Sequence, residues 1–367
     1  MEYNILITGV SGYLGGTLLN RLKNAPLPKY HKLFALIRNP DQAHAVKQYA
    51  AEPLVFDIHD YESVLDNIQK YKINVVFSLV DAYSSTCQEH FIRALSELKK
   101  KTGQVVHFLH TSGAKAFSDH AGAPVDRTIL DTEHSLLELQ KSQHTDLPAL
   151  QQVYHVLQLV GANTKIVELS ESLGVRSYIF CPCMVYGKGE GFGNQVSIQT
   201  VAIVSTARAT GHVRNLNESQ QASWPVCHVV DNALLYIAIL KKILSSEDCD
   251  HGQEGFYLAS SGRVAWKDVY ASIGAALFKR GLIKDSAVHP ADEKVLAVMA
   301  ETLKSSTDMV APQLSGECTF TAKHGYEIGW KPLFPPDHIF EVMDEEVDLI
   351  LSSNADKSER TQRNGAF

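Results

Sequence analysis

A glycine-rich turn near the beginning of the chain constrains its fold more than any other feature. Residues 8–15 read Thr-Gly-Val-Ser-Gly-Tyr-Leu-Gly, between an apolar run at 3–7 and a helical pattern at 13–22. A strand, a glycine-rich turn and a helix in this order form the setting that a dinucleotide site requires. The glycines let the backbone turn sharply and approach a pyrophosphate, which binds the amides at the helix N-terminus.

Apolar runs alternate with helical patterns along the first half of the chain. The predicted strands are residues 3–8, 32–37, 53–56, 74–80, 104–110 and 175–181. The predicted helices are residues 12–24, 60–70, 85–101, 150–173 and 195–209. The run Val75–Val80 is almost entirely apolar, as in parallel strands that are buried on both faces. We therefore expect an α/β fold of the Rossmann type, a doubly wound parallel sheet with its ligand site at the carboxyl ends of the strands.

At 367 residues the chain is long enough for one large α/β domain and a smaller C-terminal substrate lobe. The predicted dinucleotide-binding domain is 1–185, and it includes a polar, irregular surface insertion at 117–150 that can act as a lid. Residues 186–352 are expected to form mainly the substrate-binding lobe. The charged and polar tail at 353–367 is predicted to be disordered.

Composition excludes several other classes of protein. The net charge of −7 argues against a nucleic-acid partner, and no apolar stretch is long enough to span a membrane. The first strand starts at once, which leaves no room for a signal peptide. The six scattered cysteines indicate free thiols in a reducing compartment, so a cytoplasmic protein is expected. The 16 histidines show no metal-ligand spacing, and no metal site is predicted.

Five motifs together resemble the extended short-chain dehydrogenase/reductase superfamily, over roughly residues 3–265. They are Thr8-Gly9-x-x-Gly12-x-x-Gly15, Asp57-Ile58, His110-Thr111-Ser112-Gly113, Pro182-x-x-Val185-Tyr186-Gly187 and Val226-Cys227-His228-Val229-Val230-Asp231. The last two are typical of members with an epimerase- or dehydratase-like lobe. The stretch 173–189 is most similar to fungal members of that group.

The resemblance implies which residues line a nicotinamide dinucleotide. These are Thr8, Gly9, Ser11, Gly12, Tyr13, Leu14, Gly15, Arg38, Asn39, Asp57, Ile58, Leu79, Val80, Thr111, Ser112, Lys165, Pro182 and Val185. In the family pattern, residues after the third strand lie against the adenine. Those after the fourth, fifth and sixth strands lie along the ribose and the nicotinamide.

The end of the second strand indicates which dinucleotide is bound. NAD-specific sites usually place a carboxylate there, where it accepts hydrogen bonds from the ribose hydroxyls. This strand ends in Arg38 and Asn39, and the first carboxylate is Asp41. The guanidinium of Arg38 can pair with a 2′-phosphate, and the alternative is a solvated loop arginine. We therefore favour NADP(H) over NAD(H).

The catalytic pair of most redox members of the superfamily is missing. Those members use Tyr-x-x-x-Lys, in which the lysine lowers the pKa of the tyrosine and holds the ribose. Tyr154 stands near the family position, but residue 158 is glutamine. Lys165 is the nearest basic replacement, as in atypical isoflavone-reductase-like relatives, and the alternative is a surface lysine. A continuous helix over 154–173 would separate Lys165 from Tyr154 by about 16 Å, whereas a break at Gly161 would bring them closer.

Two further side chains are candidates for acid–base chemistry. Ser112 precedes Gly113, where many extended members have the serine that binds the substrate oxygen; its alternative role is to satisfy backbone at the strand end. Tyr83 follows the fourth strand, at the cofactor edge, and can reach the substrate. The candidate catalytic residues are therefore Ser112, Tyr154, Lys165 and Tyr83.

Three functions fit these observations. The first is an NADP(H)-binding oxidoreductase for a small or medium organic carbonyl or alcohol, in secondary metabolism, with an atypical proton donor. The second is a non-redox isomerase, cyclase or dehydratase, because acid–base chemistry needs only a placed donor and acceptor. The third is a non-catalytic NADP-sensing regulator similar to the NmrA-like relatives. By analogy with extended relatives, a homodimer formed through the helices at 85–101 and 150–173 is expected.

Overall fold

A parallel β-sheet forms the centre of the computed structural model, which describes residues 2–145, 154–217, 219 and 221–353, without the side chains of 144, 145, 154 and 155. Its strands are β1 (Asn4–Ile7), β2 (Lys32–Leu36), β3 (Glu52–Leu54), β4 (Val75–Ser78), β5 (His107–Thr111), β6 (Arg176–Pro182) and β10 (Phe256–Ala259). They lie in the order β10-β6-β5-β4-β1-β2-β3, and every neighbouring pair is parallel. The carboxyl ends of these strands therefore meet at one edge of the sheet.

Shorter strands form two smaller sheets. They are β7 (Met184–Tyr186), β8 (Val213–Asn215), β9 (Ser223–His228), β11 (Gly262–Ala265) and β12 (Val288–Pro290). One sheet has the order β11-β9-β7, and the other is the parallel pair β12-β8. Both belong to the later half of the chain.

Helices cover both faces of the main sheet and build the rest of the lobe. They are α1 (Tyr13–Leu22), α2 (Ala43–Lys47), α3 (Tyr61–Lys70), α4 (Thr86–Thr102), α5 (Leu136–Thr145), α6 (Tyr154–Leu173), α7 (Gln199–Thr210), α8 (Val229–Leu244), α9 (Trp266–Lys279), α10 (Glu293–Leu303), α11 (Val310–Leu314), α12 (Lys323–Glu327), α13 (His338–Glu341) and α14 (Met343–Ser352). Within the described ranges, none of them is long and apolar enough to cross a membrane.

Apolar runs place the strands at the centre of two cores. Every residue of β1, β4 and β10 is buried. Neighbouring residues of β5 enter different cores, because Phe108 joins the core under α4 and α6 whereas Leu109 joins the core under α1 and α8. The predicted doubly wound α/β fold is thus confirmed, and the six predicted strands are present with ends that differ by a few residues.

Two elements that follow residue 185 belong to the main sheet and its covering layer. Strand β10 pairs with β6 at the edge of the sheet, and α8 packs against α1. The chain therefore returns to the first domain after it has started the substrate lobe. The division at 185 remains a prediction about the role of each part, and the tail from 354 onward lies outside the described residues.

The segment at 117–150 is not the irregular surface insertion that its polarity predicts. Residues Phe117 and Ile129 are fully buried, and 136–145 form α5. The buried carboxylate of Asp131 accepts hydrogen bonds from the amides of Leu258 at 3.0 Å and His324 at 2.8 Å. Polar residues of this segment thus serve as internal acceptors, which tie the sheet to the C-terminal part of the chain. The end of the segment, 146–153, lies outside the described residues.

Buried neutral histidines make the stability of this fold depend on pH. Burial lowers the pKa of His110 to about 3, far below its ordinary 6.5, so His110 is neutral when folded and takes up a proton on unfolding in acid. The free energy of unfolding should therefore fall as the pH drops from 6.5 towards 4. In His110→Leu this fall should be smaller by about 1.4 kcal/mol per pH unit, measured by urea unfolding across that range. An unchanged slope in His110→Leu would contradict the burial effect.

Candidate functional site

The glycine-rich turn joins β1 to α1 and depends on close backbone contacts. Gly9 has a φ of +66°, and a Cβ there would lie 2.6 Å from the carbonyl oxygen of Leu79. A Cβ on Gly15 would lie 2.3 Å from the carbonyl oxygen of Gly9. Side chains at these two positions would push the turn away from β4 and from α1. Thr8 reinforces the turn, because its Oγ1 accepts a hydrogen bond from the amide of Leu79 at 3.0 Å.

The N-terminus of α1 fits a phosphate group. Gly12, the residue before the helix, has an extended backbone and no side chain that caps the helix. The first turn of α1 contains no acidic residue. The amides of this turn, on Tyr13 and Leu14 among others, have no partner inside the helix, and the helix dipole favours a negative charge beside them. The turn and the helix together fit the pyrophosphate of a dinucleotide.

Arg38 lies exposed just after the end of β2. Its guanidinium has no hydrogen-bond or ion-pair partner among the described residues, so it is available to a ligand. Asn39 starts a short helical turn, in which its Oδ1 accepts a hydrogen bond from the amide of Asp41 at 2.9 Å. The amide group of Asn39 can therefore still donate, and no carboxylate stands directly at the strand end.

The loops that follow β3 and β4 lie at the same carboxyl edge of the main sheet, and hydrogen bonds hold them in place. Asp57 is exposed and belongs to the loop after β3. In that loop the carbonyl of Ile58 bonds with Nδ1 of His90 at 3.0 Å. The carbonyl of Val80, after β4, accepts a hydrogen bond from Nε2 of Gln88 at 3.1 Å. Because both His90 and Gln88 belong to α4, this helix holds the two loops in place.

The end of β5 contributes Thr111 and Ser112. The hydroxyls of Thr111 and Tyr236 lie 2.8 Å apart, so the side chain of Thr111 already has a partner on α8. The amide of Ser112 donates to the carbonyl of Phe180 in β6 at 2.8 Å. Its Oγ is buried beside the thiol of Cys181, a weak hydrogen-bond partner, and makes no other hydrogen bond with the described residues. Of the two hydroxyls, that of Ser112 is the one left for a substrate oxygen.

A loop from the later half of the chain, residues 187–195, lies directly on the glycine-rich turn. A Cβ on Gly191 would lie 2.4 Å from the Cα of Gly16, in α1. A Cβ on Gly193 would lie 2.2 Å from the carbonyl oxygen of Ser11. The cluster of glycines in this loop therefore serves backbone-to-backbone packing, a role that the sequence did not reveal.

Polar contacts strengthen the attachment of this loop to α1. The amide of Asn194 donates to the carbonyl of Ser11 at 2.8 Å. The amide of Glu190 donates to Oγ1 of Thr17 at 3.1 Å, and its carboxylate forms an ion pair with Arg21. The 187–195 loop and α1 are thus joined at the candidate site.

Gly187 is held by three side chains that are distant in the sequence. Its amide donates to the carboxylate of Glu346 at 3.0 Å, and its carbonyl accepts a hydrogen bond from the hydroxyl of Tyr13. Its φ is +90°, and a Cβ would lie 2.1 Å from the imidazole of His228. Burial raises the pKa of Glu346, which also accepts a hydrogen bond from Oγ1 of Thr200 at 2.8 Å. No motif marks Glu346, because its partners lie far from it along the chain.

Pro182 and Val185 lie where the sheet passes into this lobe. Pro182 ends β6 and is partly exposed, whereas Val185 is buried in β7. Val185 packs with Tyr13 and with Val229 and Val230 of α8. Its side chain therefore supports the N-terminus of α1 from below the candidate site.

Helix α6 carries Tyr154 at its first residue and Lys165 in its second half. The helix is continuous over Tyr154–Leu173, so Gly161 does not break it. The two residues are then about 16 Å apart along the axis and cannot act as a pair. The side chain of Tyr154 lies outside the described residues.

Gly113, which lies just after the carboxyl end of β5, shows which residue of α6 is beside that edge of the sheet. A Cβ on Gly113 would have Cδ2 of Leu159 as its nearest neighbour, at 3.8 Å. Because α6 runs from the carboxyl edge of the sheet to the amino edge, Tyr154 stands about 7.5 Å above Leu159 and Lys165 about 9 Å below it. Tyr154 is therefore on the cofactor side and Lys165 is not.

Lys165 pairs with α4 instead. Its Nζ lies 2.6 Å from the carboxylate of Glu89, and its side chain is 60% exposed. Burial alone would raise the pKa of Glu89, but the hydrogen bonds from Lys165 and Ser85 outweigh it and lower that pKa. Lys165 is therefore a surface lysine that joins two helices through an ion pair, which is the alternative to a catalytic or cofactor-binding role.

The loop after β4 presents Tyr83 at the cofactor edge. Asp81 has a φ of +48°, and its Oδ1 accepts hydrogen bonds from the amides of Tyr83 at 3.2 Å and Ser84 at 3.1 Å. Partial burial raises the pKa of Tyr83 above its ordinary 10.0. Tyr83 is therefore a neutral phenol at pH 7, able to donate a hydrogen bond.

The motif at 226–231 contacts the C-terminal part of the chain and holds it in place. The buried carboxylate of Asp231 accepts hydrogen bonds from the amides of Leu333 at 2.8 Å and Phe334 at 3.2 Å. The ring of His228 lies 4.1 Å from that of Phe334, and burial lowers the pKa of His228 to about 4. Both side chains are thus occupied in holding the lobe beside the site.

A family model agrees with this geometry. The model of the NAD dependent epimerase/dehydratase family matches residues 5–250. The chain belongs to this family. Membership confirms the resemblance to extended short-chain dehydrogenases/reductases and supports a nucleotide-binding, oxidoreductase-like role with a nicotinamide dinucleotide. No curated protein sequence matches the chain.

Solved structures share the fold at low sequence identity. The dTDP-glucose 4,6-dehydratase of Bacillus anthracis, in complex with NAD, has a TM-score of 0.61 and 14% identity over 96% of this chain and 98% of its own. The UDP-glucose 4-epimerase of Bifidobacterium longum, in complex with NAD+ and UDP, has a TM-score of 0.60 and 14% identity over 96% and 99%. Vestitone reductase from alfalfa has a TM-score of 0.55 and 15% identity over 96% and 98%.

The packing of the 187–195 loop on α1 leads to a stability prediction. Gly191→Ala places a methyl group 2.4 Å from the Cα of Gly16, so the loop must move away from the helix. We expect a loss of about 1–3 kcal/mol in the free energy of unfolding, measured by urea denaturation. Gly113→Ala makes the same chemical change with its nearest atom at 3.8 Å and should lose far less. Equal losses in the two variants would contradict the close packing.

Proposed function

We propose that this protein is an NADP(H)-dependent oxidoreductase for a small or medium organic carbonyl or alcohol, as in secondary metabolism. The observation that carries the proposal is the glycine-rich turn, whose uncapped helix N-terminus fits a pyrophosphate beside an unpartnered Arg38. A bound nicotinamide would supply or accept the hydride. The protein must then bind the dinucleotide, orient the substrate and exchange one proton with its oxygen.

Arg38 supports NADP(H) as the cofactor. It is exposed at the end of β2, where a dinucleotide on the α1 N-terminus would place its adenosine ribose. A guanidinium offers a fork of donors that suits a phosphate, and the side-chain amide of Asn39 adds another donor. The missing carboxylate at this strand end removes the usual acceptor for an unphosphorylated ribose.

The proton is assigned to Tyr154, with Ser112 as the hydrogen-bond donor to the substrate oxygen. Tyr154 stands on the cofactor side of α6, and the buried hydroxyl of Ser112 has only the thiol of Cys181, a weak partner, among the described residues. Tyr83 lies at the same edge and is the alternative donor. Because Gln158 carries no charge, the proton donor works without the lysine that usually lowers the pKa of the tyrosine.

The uncharged Gln158 also favours a second candidate function, a non-redox isomerase, cyclase or dehydratase. Lys165 is the only lysine or arginine in the sequence of α6, and it pairs with Glu89. A tyrosine without a lysine four residues later suits a step that only moves protons. In that case the dinucleotide would stay bound as a fixed polar element.

Binding to the two dinucleotides tests the cofactor assignment. Arg38→Ala should raise the Kd for NADPH by about tenfold or more, because a charge-assisted hydrogen bond contributes about 1.5–3 kcal/mol. The Kd for NADH should change little. Isothermal titration calorimetry measures both values, and Arg263→Ala removes another exposed arginine as the matched control. Equal weakening of NADPH and NADH in Arg38→Ala would remove the phosphate contact from the proposal.

Turnover tests the reaction class. NADPH oxidation should accompany product formation with at least one member of a panel of carbonyl compounds. Tyr154→Phe should lower kcat by about 10²- to 10⁴-fold with little change in KM, whereas Tyr326→Phe, in an exposed part of α12, should have no effect. Product formed without nicotinamide oxidation would instead support the non-redox function. Tight NADPH binding with no product would point to an NADP-sensing regulator.

A further inference from the structure

Two histidines and an aspartate meet on the surface of the substrate lobe, away from the candidate site. His212 precedes β8, Asp285 precedes β12, and His289 lies within β12. One ligand atom from each residue lies within 4.8 Å of the other two. The nearest distances are 2.9 Å from Nε2 of His289 to Oδ1 of Asp285 and 3.4 Å from Nδ1 of His212 to Oδ2 of Asp285.

We propose that His212, Asp285 and His289 form a binding site for a divalent first-row transition metal ion such as Zn²⁺. Imidazole nitrogens and a carboxylate oxygen are the donors that Zn²⁺ accepts, at about 2.0–2.2 Å. Ligand atoms at such distances around a tetrahedral ion lie about 3.3 Å apart, close to the separations found here. Three protein ligands leave one position for water.

The backbone holds the three ligands together before any ion binds. Strands β8 and β12 pair in parallel, with His289 beside Arg214. The amide of Lys284 donates to the carbonyl of Gly211 at 2.9 Å, which fixes the approach of the two loops. The amide of Ala287 donates to Oδ1 of Asp285 at 2.9 Å and orients the carboxylate. The site is therefore preorganised, which lowers the entropic cost of binding.

One nitrogen in this cluster lacks a partner. Nδ1 of His212 is buried and makes no hydrogen bond with the described part of the chain, although it faces the carboxylate of Asp285 at 3.4 Å. A metal ion would satisfy the free nitrogen and the second carboxylate oxygen together. The guanidinium of Arg214 is directed elsewhere, because its Nη1 donates to the carbonyl of Pro290 at 3.1 Å.

A second cluster of similar composition does not have these properties. Asp250, His324 and Glu327 also lie within ligand distance of one another. However, both nitrogens of His324 have partners, because Nδ1 bonds with the carbonyl of Phe256 at 2.7 Å and Nε2 lies 3.2 Å from Oδ2 of Asp250. Both acidic residues are also exposed. That cluster is explained as a hydrogen-bonded anchor of α12.

Bound metal would join two loops of the substrate lobe. The segments around residues 212 and 285–289 come from distant parts of the sequence, and β8 and β12 form a sheet of only two strands. Such a sheet has little stability by itself. An ion that binds only the folded lobe would raise the melting temperature further as its free concentration rises above the Kd.

The test uses the untagged full-length protein, stripped with EDTA and titrated with ZnCl₂ and with CoCl₂. We expect one saturable site, a visible absorption band from four-coordinate Co²⁺, and a higher melting temperature with Zn²⁺. His212→Gln and His289→Gln should each weaken binding by more than about tenfold and lose the Co²⁺ band. His31→Gln, an exposed histidine outside the cluster, should bind like the wild type.

Far-UV circular dichroism, measured in parallel, shows whether each variant is folded. Absence of a saturable site in the wild type, or metal binding retained by both folded glutamine variants, would overturn the proposal and leave a plain hydrogen-bonded cluster.

Discussion

The candidate site depends on glycines that let backbone segments contact one another directly at the carboxyl edge of the sheet. Gly9 lies against Leu79, Gly15 lies against Gly9, and Gly191 lies against Gly16, each at a distance that no Cβ would allow. These contacts bring β1, β4, α1 and the 187–195 loop to one point. The first amides of α1, which have no partner inside the helix, lie at the same point. The contacts that pack the fold therefore also position the amides that can bind a phosphate.

Much of this fold can be predicted from the sequence because its signals are local. Apolar runs mark buried parallel strands such as Val75–Ser78, and Gly9 marks a turn with a positive φ. The segment at 117–150 departs from its sequence prediction, because polarity in this segment does not mean exposure. Asp131 is polar and buried, since two backbone amides from other parts of the chain satisfy its carboxylate.

Contacts between residues that are far apart along the chain cannot be predicted from local sequence patterns. Glu346 holds Gly187 across most of the second half of the chain, and no motif marks it. The histidines at 212 and 289 have no metal-ligand spacing, yet the pairing of β8 with β12 brings them together. The separation of Tyr154 from Lys165 depends in the same way on α6, which is continuous past Gly161. In each case the missing information is the path of the chain, which single-residue chemistry does not specify.

Hydrogen–deuterium exchange of the wild-type protein, with and without excess NADPH, tests the central claim most directly. If the amides at the start of α1 bind the pyrophosphate, peptides that cover residues 8–16 should exchange more slowly when NADPH is present. The peptide that contains Arg38 should be protected by NADPH more than by NADH. Unchanged exchange over 8–16 in excess NADPH would contradict the claim that this turn is a dinucleotide site.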